Sequence, residues 1–190
     1  NHFRPDYSSF HVVDYDPETG EVRARQTAQG YADDSFWSRG QAWGLYGYTM
    51  CYRFTKNPAY LQQARHIADF FFGLPNLPED LVPYWDYDAP NIPNEPRDVS
   101  TAAIIASAFY EMYTYTGDGL YKQKADRIVE SLSSPAYRAP VGGNGGFLLM
   151  HSVGSIPHGS NIDVPLNYAD YYFLEALIRK GRLEAGEPLF

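Results

Sequence analysis

The sequence predicts an all-α fold of helical hairpins set in a ring, an α/α toroid with buried inner helices and amphipathic outer ones. Three observations predict it. A repeat with an offset of 61 residues pairs Tyr52–Tyr60 with Tyr113–Tyr121, then Gln62 with Gln123, Ala64 with Ala125 and Ile67 with Ile128. Each copy opens with a segment that is apolar nearly all round and closes with one that is apolar on a single face. Long loops rich in proline, glycine and aromatic residues separate the copies. A plain solenoid of stacked hairpins is the alternative that this pattern leaves open.

The elements follow in chain order. His11-Val12-Val13-Asp14, then Glu18-Thr19-Gly20-Glu21, reads as a strand with a turn. The first inner helix is expected from about Gln41 to Thr55, carrying Ala42, Trp43, Leu45, Tyr46, Tyr48, Met50 and Phe54. Asn57-Pro58 is a cap followed by a first-turn proline. The outer helix then places Tyr60, Ala64, Ile67, Ala68 and Phe71 on one face. Residues 73–97 hold six of the 14 prolines and read as an ordered rim loop.

The second copy repeats the scheme. Its inner helix spans about Val99 to Thr116, and Gly117-Asp118-Gly119 is the turn. Its outer helix places Tyr121, Ala125, Ile128, Val129 and Leu132 on one face. Residues 139–165 are expected to form a second rim loop, with Gly142-Gly143-Asn144-Gly145-Gly146 inside it. A last inner-type helix runs from about Tyr168 to Lys180, and the tail Gly181–Phe190 reads as frayed.

Composition narrows the function. The net charge of −8 argues against a general nucleic-acid or membrane-surface role. Cys51 is alone, which excludes a disulfide framework or a thiolate metal cluster within the chain. No apolar run approaches the roughly 20 residues of a membrane span. Asn1-His2-Phe3-Arg4-Pro5 does not read as a signal peptide, and cytoplasm and periplasm of a bacterium both fit. Aromatic residues reach 16%, with 17 tyrosines, a composition suited to carbohydrate or to an aromatic core.

Ser35-Phe36-Trp37-Ser38-Arg39-Gly40-Gln41-Ala42-Trp43-Gly44 concentrates the chemistry. An indole face stacks on a pyranose, and a guanidinium forks onto a carboxylate. The bland alternative is a tightly packed helix start, with the tryptophans in the core and Arg39 in a structural ion pair.

Trp37–Gly44 resembles the signature of glycoside hydrolase family 88, the unsaturated glucuronyl hydrolases. The likeness continues through Pro83–Pro90, Arg97–Ala103, His151–Gly154 and Tyr168–Leu177. Gln41-Ala42 favours this family over the related unsaturated rhamnogalacturonyl hydrolases, which favour Arg-Gly-Asn-Gly-Trp. The resemblance implies an (α/α)6 toroid of six helical hairpins that removes the 4,5-unsaturated uronic acid left by polysaccharide lyases. It implies protonation of carbon 4 by an aspartic acid and addition of water at carbon 5. The hemiketal then opens and expels the remaining sugar. No metal and no organic cofactor is implied.

By the same resemblance, substrate contacts fall on His11, Gln29, Arg39 and Trp43. Arg39 is expected to pair with the uronate carboxylate and Trp43 to stack on the unsaturated ring. Gln29 and His11 are expected to hydrogen-bond around the ring and the adding water. His151, Trp85, Asp86 and Asp88 are second-rank rim candidates. The family's acid/base aspartate lies upstream of the segment matching His11. Residues 1–190 are therefore expected to be the C-terminal part of one toroid domain, about half of the ring, lacking the N-terminal half. On that expectation the chain alone does not turn over. It pairs with the missing half or self-associates across its two cut faces. A non-catalytic carbohydrate-binding or scaffold module is the competing class.

Overall fold

The repeat in the sequence is a repeat in space. The computed structural model describes all 190 residues. Helices α1 (Ser38–Thr55) and α2 (Pro58–Phe72) form one hairpin, and α3 (Val99–Thr116) and α4 (Gly119–Ser133) form the next. Every bound of the second hairpin falls 61 residues after its counterpart in the first. Lys56 and Gly117 close α1 and α3 in the left-handed conformation, each N–H returning to the carbonyl four residues back. The side chains of Asn57 and Asp118 then cap α2 and α4. A fifth helix, α5 (Asn167–Ala185), packs against α3.

The helices α1, α3 and α5 run parallel, because their ends pair in the same order. At the N-terminal ends Arg39 pairs with Asp98, and its guanidinium lies 5.4 Å from the Tyr168 ring centre. At the other end Arg53 pairs with Glu111, and Glu111 with Arg179. The middle helix α3 is buried from Val99 through Met112. Its all-round apolar sequence requires that position. Outside it lie α2 and α4, which turn Ile67 and Phe71, and Ile128 and Leu132, into the core.

A buried ionic network joins the C-terminal ends of the three inner helices. Arg53 forks onto Glu111 through Nε at 2.8 Å and Nη2 at 2.6 Å. Arg179 reaches Glu111 at 3.1 Å and Glu175 at 3.2 Å, and Tyr115 donates its hydroxyl to Glu111. The chain end seals this cluster, with the Phe190 ring 3.8 Å from the Arg53 guanidinium. The tail expected to fray is therefore docked. Its α5 continues to Ala185, Gly186 caps it in the left-handed conformation, and Leu189 is buried.

The strand-and-turn near the N-terminus is an antiparallel pair, β1 (Val12–Tyr15) with β2 (Val22–Gln26). A second pair, β3 (Ser152–Ser155) with β4 (Ser160–Val164), stands where the sequence suggested only a rim loop. The fold is thus mostly helical with two small sheets rather than all-α. The small residues of β3 carry no alternation to announce a strand, and Pro157-His158-Gly159 disguises its turn. No helix is long and apolar enough to cross a membrane.

Candidate functional site

Three segments converge beside the first turns of α1. Gln41, buried in α1, holds the first of them. Its Oε1 accepts the Ser9 N–H at 3.0 Å, and its Nε2 donates to the Ser9 carbonyl at 3.2 Å and hydroxyl at 3.0 Å. One amide thus pairs both backbone groups of Ser9, as a neighbouring strand would, and fixes the chain two residues before His11.

His11 is fixed from its other side. Its Nδ1 accepts the N–H groups of Ala28 and Gln29, each at 3.1 Å. A nitrogen that accepts two hydrogen bonds carries no proton, so the neutral ring carries its proton on Nε2. The ring stacks on Trp37 with centres 4.2 Å apart. Burial, and secondarily the charge of Arg39, push its pKa below the ordinary value. The neutral donor therefore persists to lower pH than in an ordinary histidine. In that window the unfolded chain binds more protons, so the contribution of His11 to stability is lost as pH falls from the ordinary value toward the depressed one. An NMR pH titration should give His11 a midpoint below about 6.5. A midpoint above that, or a proton on Nδ1, contradicts the tautomer.

The 27–35 loop carries Gln29 and hangs on Asp86. That carboxylate is wholly buried and accepts the Tyr31 N–H at 2.9 Å, the Ser35 hydroxyl at 2.7 Å and the Asp88 N–H at 2.9 Å. Burial raises its pKa, and these hydrogen bonds oppose the rise. Gly30 is required here, because a Cβ would meet Thr27 Oγ1 at 2.7 Å and Asp86 Oδ2 at 3.0 Å. Gln29 itself donates Nε2 to the Gly154 carbonyl of β3 at 3.0 Å.

These pieces border an open cavity of about 570 Å³ lined by His11, Gln29 and Trp43, with Phe3, Phe10, Trp37 and Tyr48 forming much of its aromatic wall. The size suits a small ligand. Trp43 remains 37% exposed and meets Tyr172 edge-on at 5.1 Å. A larger groove of about 810 Å³ lies on the outer surface between α4 and α5. Of its cations, Lys180 and Arg127 are paired with Asp126 and Glu130, and Lys124 lies 5.6 Å from the Phe72 ring centre.

Arg39 stands apart from the other three expected residues. It does not line the cavity, and only 3% of it is exposed. Its Nη1 reaches Asp98 at 2.7 Å and also donates to the Val153 carbonyl, and its Nη2 donates to the Gly154 carbonyl at 2.7 Å. The guanidinium expected to face a uronate carboxylate is engaged here by Asp98 and the β3 backbone. The carboxylate that Arg39 meets belongs to the chain. The second-rank candidates also lie outside the cavity. Trp85 is buried, with Nε1 donating to Glu95 at 2.9 Å. His151 pairs with Asp163 at 2.6 Å in a separate depression beside Arg97 and Tyr137.

No protein-family model matches the chain. An unsaturated glucuronyl hydrolase of Formosa agariphila is 51% identical over 181 residues, which cover 95% of this chain and 45% of that protein. An unsaturated chondroitin disaccharide hydrolase of Streptococcus pneumoniae is 37% identical over 184 residues, 94% of this chain and 46% of that one. The crystal structure of an unsaturated glucuronyl hydrolase specific for heparin superposes with a TM-score of 0.95 at 50% identity, covering 97% of this chain and 50% of that one. The chain is homologous to the unsaturated glucuronyl hydrolases of glycoside hydrolase family 88. It spans about half the length of the curated family members it matches.

Two residues of the segments that carried the likeness, Asp98 and Gly154, received no role in the sequence reading. Asp98 caps α3 through the Ser100 N–H and pairs with Arg39, fifty-nine residues earlier in the chain. Gly154 closes the His151–Gly154 segment, and its contacts with Arg39 and Gln29 arise only through the tertiary fold.

Proposed function

We propose that this chain supplies the sugar-recognising part of an enzyme that removes a 4,5-unsaturated uronic acid from the non-reducing end of lyase-generated oligosaccharides. One observation carries the reading. His11, Gln29 and Trp43, from three separate segments, meet in a single aromatic-walled cavity. Their convergence supports a pyranose stacked on Trp43, with the His11 Nε2–H and the Gln29 Oε1 hydrogen-bonding its polar groups. Nδ1 of His11 and Nε2 of Gln29 are taken by the chain itself, which presents the other atom of each to a ligand.

The proposed reaction hydrates the vinyl ether. A proton goes to carbon 4, water's oxygen to carbon 5, and the hemiketal opens to release the second sugar. The residues that line the cavity include no carboxylate. The proton donor is therefore assigned to the half of the relatives' length that this chain does not span. Calorimetric titration with an unsaturated glucuronyl disaccharide tests recognition. Binding by the native chain that falls on Trp43→Ala and on His11→Ala is expected. Equal affinity in both variants would overturn the reading.

The same proposal covers the surfaces. Half of a toroid would leave its first and last inner helices without one neighbour each. Met50 and Phe54 of α1 and Tyr171, Leu174, Leu177 and Ile178 of α5 are exposed, whereas α3 between them is buried from Val99 through Met112. Apolar stripes of this kind call for cover, which we assign to the remaining half of the ring. Size-exclusion chromatography should show the chain self-associated, and Leu174→Lys with Ile178→Lys should shift it toward monomer. A native chain that elutes as a monomer at all concentrations contradicts this assignment.

A further inference from the structure

Gln29 and Arg39 donate to the same backbone oxygen, the carbonyl of Gly154, at 3.0 Å and 2.7 Å. That oxygen belongs to β3 and lies more than a hundred residues along the chain from either donor. Its place is set by how closely β3 approaches β4. A Cβ built on Gly154 would stand 2.7 Å from the Asn161 Cβ and 3.2 Å from the Ser160 carbonyl oxygen. Real Cβ atoms do not approach a neighbour to 2.7 Å, and neither atom is the free end of a flexible side chain. Glycine is needed here for space rather than for backbone torsion, since Gly154 is absent from the positive-φ positions.

We infer that Gly154 is a positioning residue for Gln29. Its missing side chain lets the β3–β4 hairpin close, and the carbonyl so placed holds the Gln29 Nε2 and turns Oε1 toward ligand. Arg39 fixes the same carbonyl from beneath and anchors it to α3 through Asp98. The inference rests on the proposed sugar site for its ligand, and on the hydrogen bond alone for its geometry.

Gly154→Ala tests it with two readouts. In the ligand-free protein, the Gln29 side-chain amide resonances should shift and exchange faster with water. The affinity for an unsaturated glucuronyl disaccharide should fall about tenfold, the size of one lost hydrogen bond. Asn161→Gly removes the obstructing Cβ. Because Asn161 has a φ of 53°, glycine is at ease there. The double variant Gly154→Ala, Asn161→Gly should recover most of both signals, the Ser160 carbonyl at 3.2 Å being the tight contact that stays.

Gln29→Met removes the donor and leaves the hairpin untouched. In that background Gly154→Ala should weaken binding no further, since the two changes act on one contact. Unmoved Gln29 resonances in Gly154→Ala, or additive losses in the double variant, would overturn the inference. A native chain that fails to bind the disaccharide would instead overturn the sugar reading, and the Gln29 resonances would still decide the role of Gly154.

Discussion

Asp98→Ala is expected to destabilise the protein by about 3–5 kcal/mol, because it leaves the buried guanidinium of Arg39 without its counter-charge. Asp98 is fully buried and serves five donors. Arg39 and the Thr101 hydroxyl meet Oδ2; the Ser100 N–H, the Ser100 hydroxyl and the Val153 N–H meet Oδ1. Loss of the α3 cap alone would cost about 1 kcal/mol, so a much larger effect isolates the ion pair. Asp98→Asn keeps the cap oxygen and separates the two contributions. Urea unfolding measures the difference. A loss below about 1 kcal/mol would mean that the buried pair is not the joint between α1, α3 and the β3–β4 hairpin. The effect should also reach ligand, since Arg39 without Asp98 no longer holds Gly154 in place for Gln29.

Glu111→Ala is the matching experiment at the other end of the inner helices, with an expected loss of about 3–5 kcal/mol. It removes the one carboxylate partner of Arg53 and leaves Arg179, whose side chain is 3% exposed, with Glu175 alone. Replacing Arg53, Glu111, Arg179 and Glu175 together by uncharged residues of similar volume should cost far less, because no charge of the network is left unmatched. The two ends differ in what they do. Glu111 follows Asp98 by thirteen residues of helix, roughly 20 Å at 1.5 Å per residue. Folded Glu111→Ala should therefore keep native affinity for the disaccharide, and Asp98→Ala should not. Equal losses of affinity in both variants would show that the site responds to global stability rather than to its own joint.

What was legible in the sequence was what is local and periodic. The tyrosine-marked repeat fixed both hairpins, and the Asn57-Pro58 and Gly117-Asp118 signals marked their turns. The start of α1 was placed late, at Gln41 rather than Ser38. No side chain caps it at Trp37, and Ser38 is held by the Trp85 carbonyl and Thr101, contacts that no local pattern records. The tail was misjudged for the same reason. Phe190 packs over the guanidinium of Arg53, which lies far from it in sequence, and over that of Arg179.

The candidate site divides in the same way. The resemblance named His11, Gln29 and Trp43, and these three share a cavity. It also named Arg39 for a ligand carboxylate. A sequence shows that an arginine is present and leaves its counter-ion to be found among twenty-three acidic residues. The fold selects Asp98, places the pair out of reach of water, and gives Arg39 the β3 carbonyls to hold. The β3–β4 hairpin escaped notice because small residues and a long-range carbonyl leave no periodic trace.

The most direct measurement is the loss of ultraviolet absorbance from the conjugated double bond of an unsaturated glucuronyl disaccharide. It is followed with this chain alone, then with the chain mixed with a polypeptide supplying the rest of the relatives' length. Loss in the mixture and none with the chain alone is the expected result. Loss with the chain alone would place the proton donor among these residues. Persistent absorbance in the mixture, with the disaccharide bound, would contradict the hydrolase reading and leave a carbohydrate-binding module.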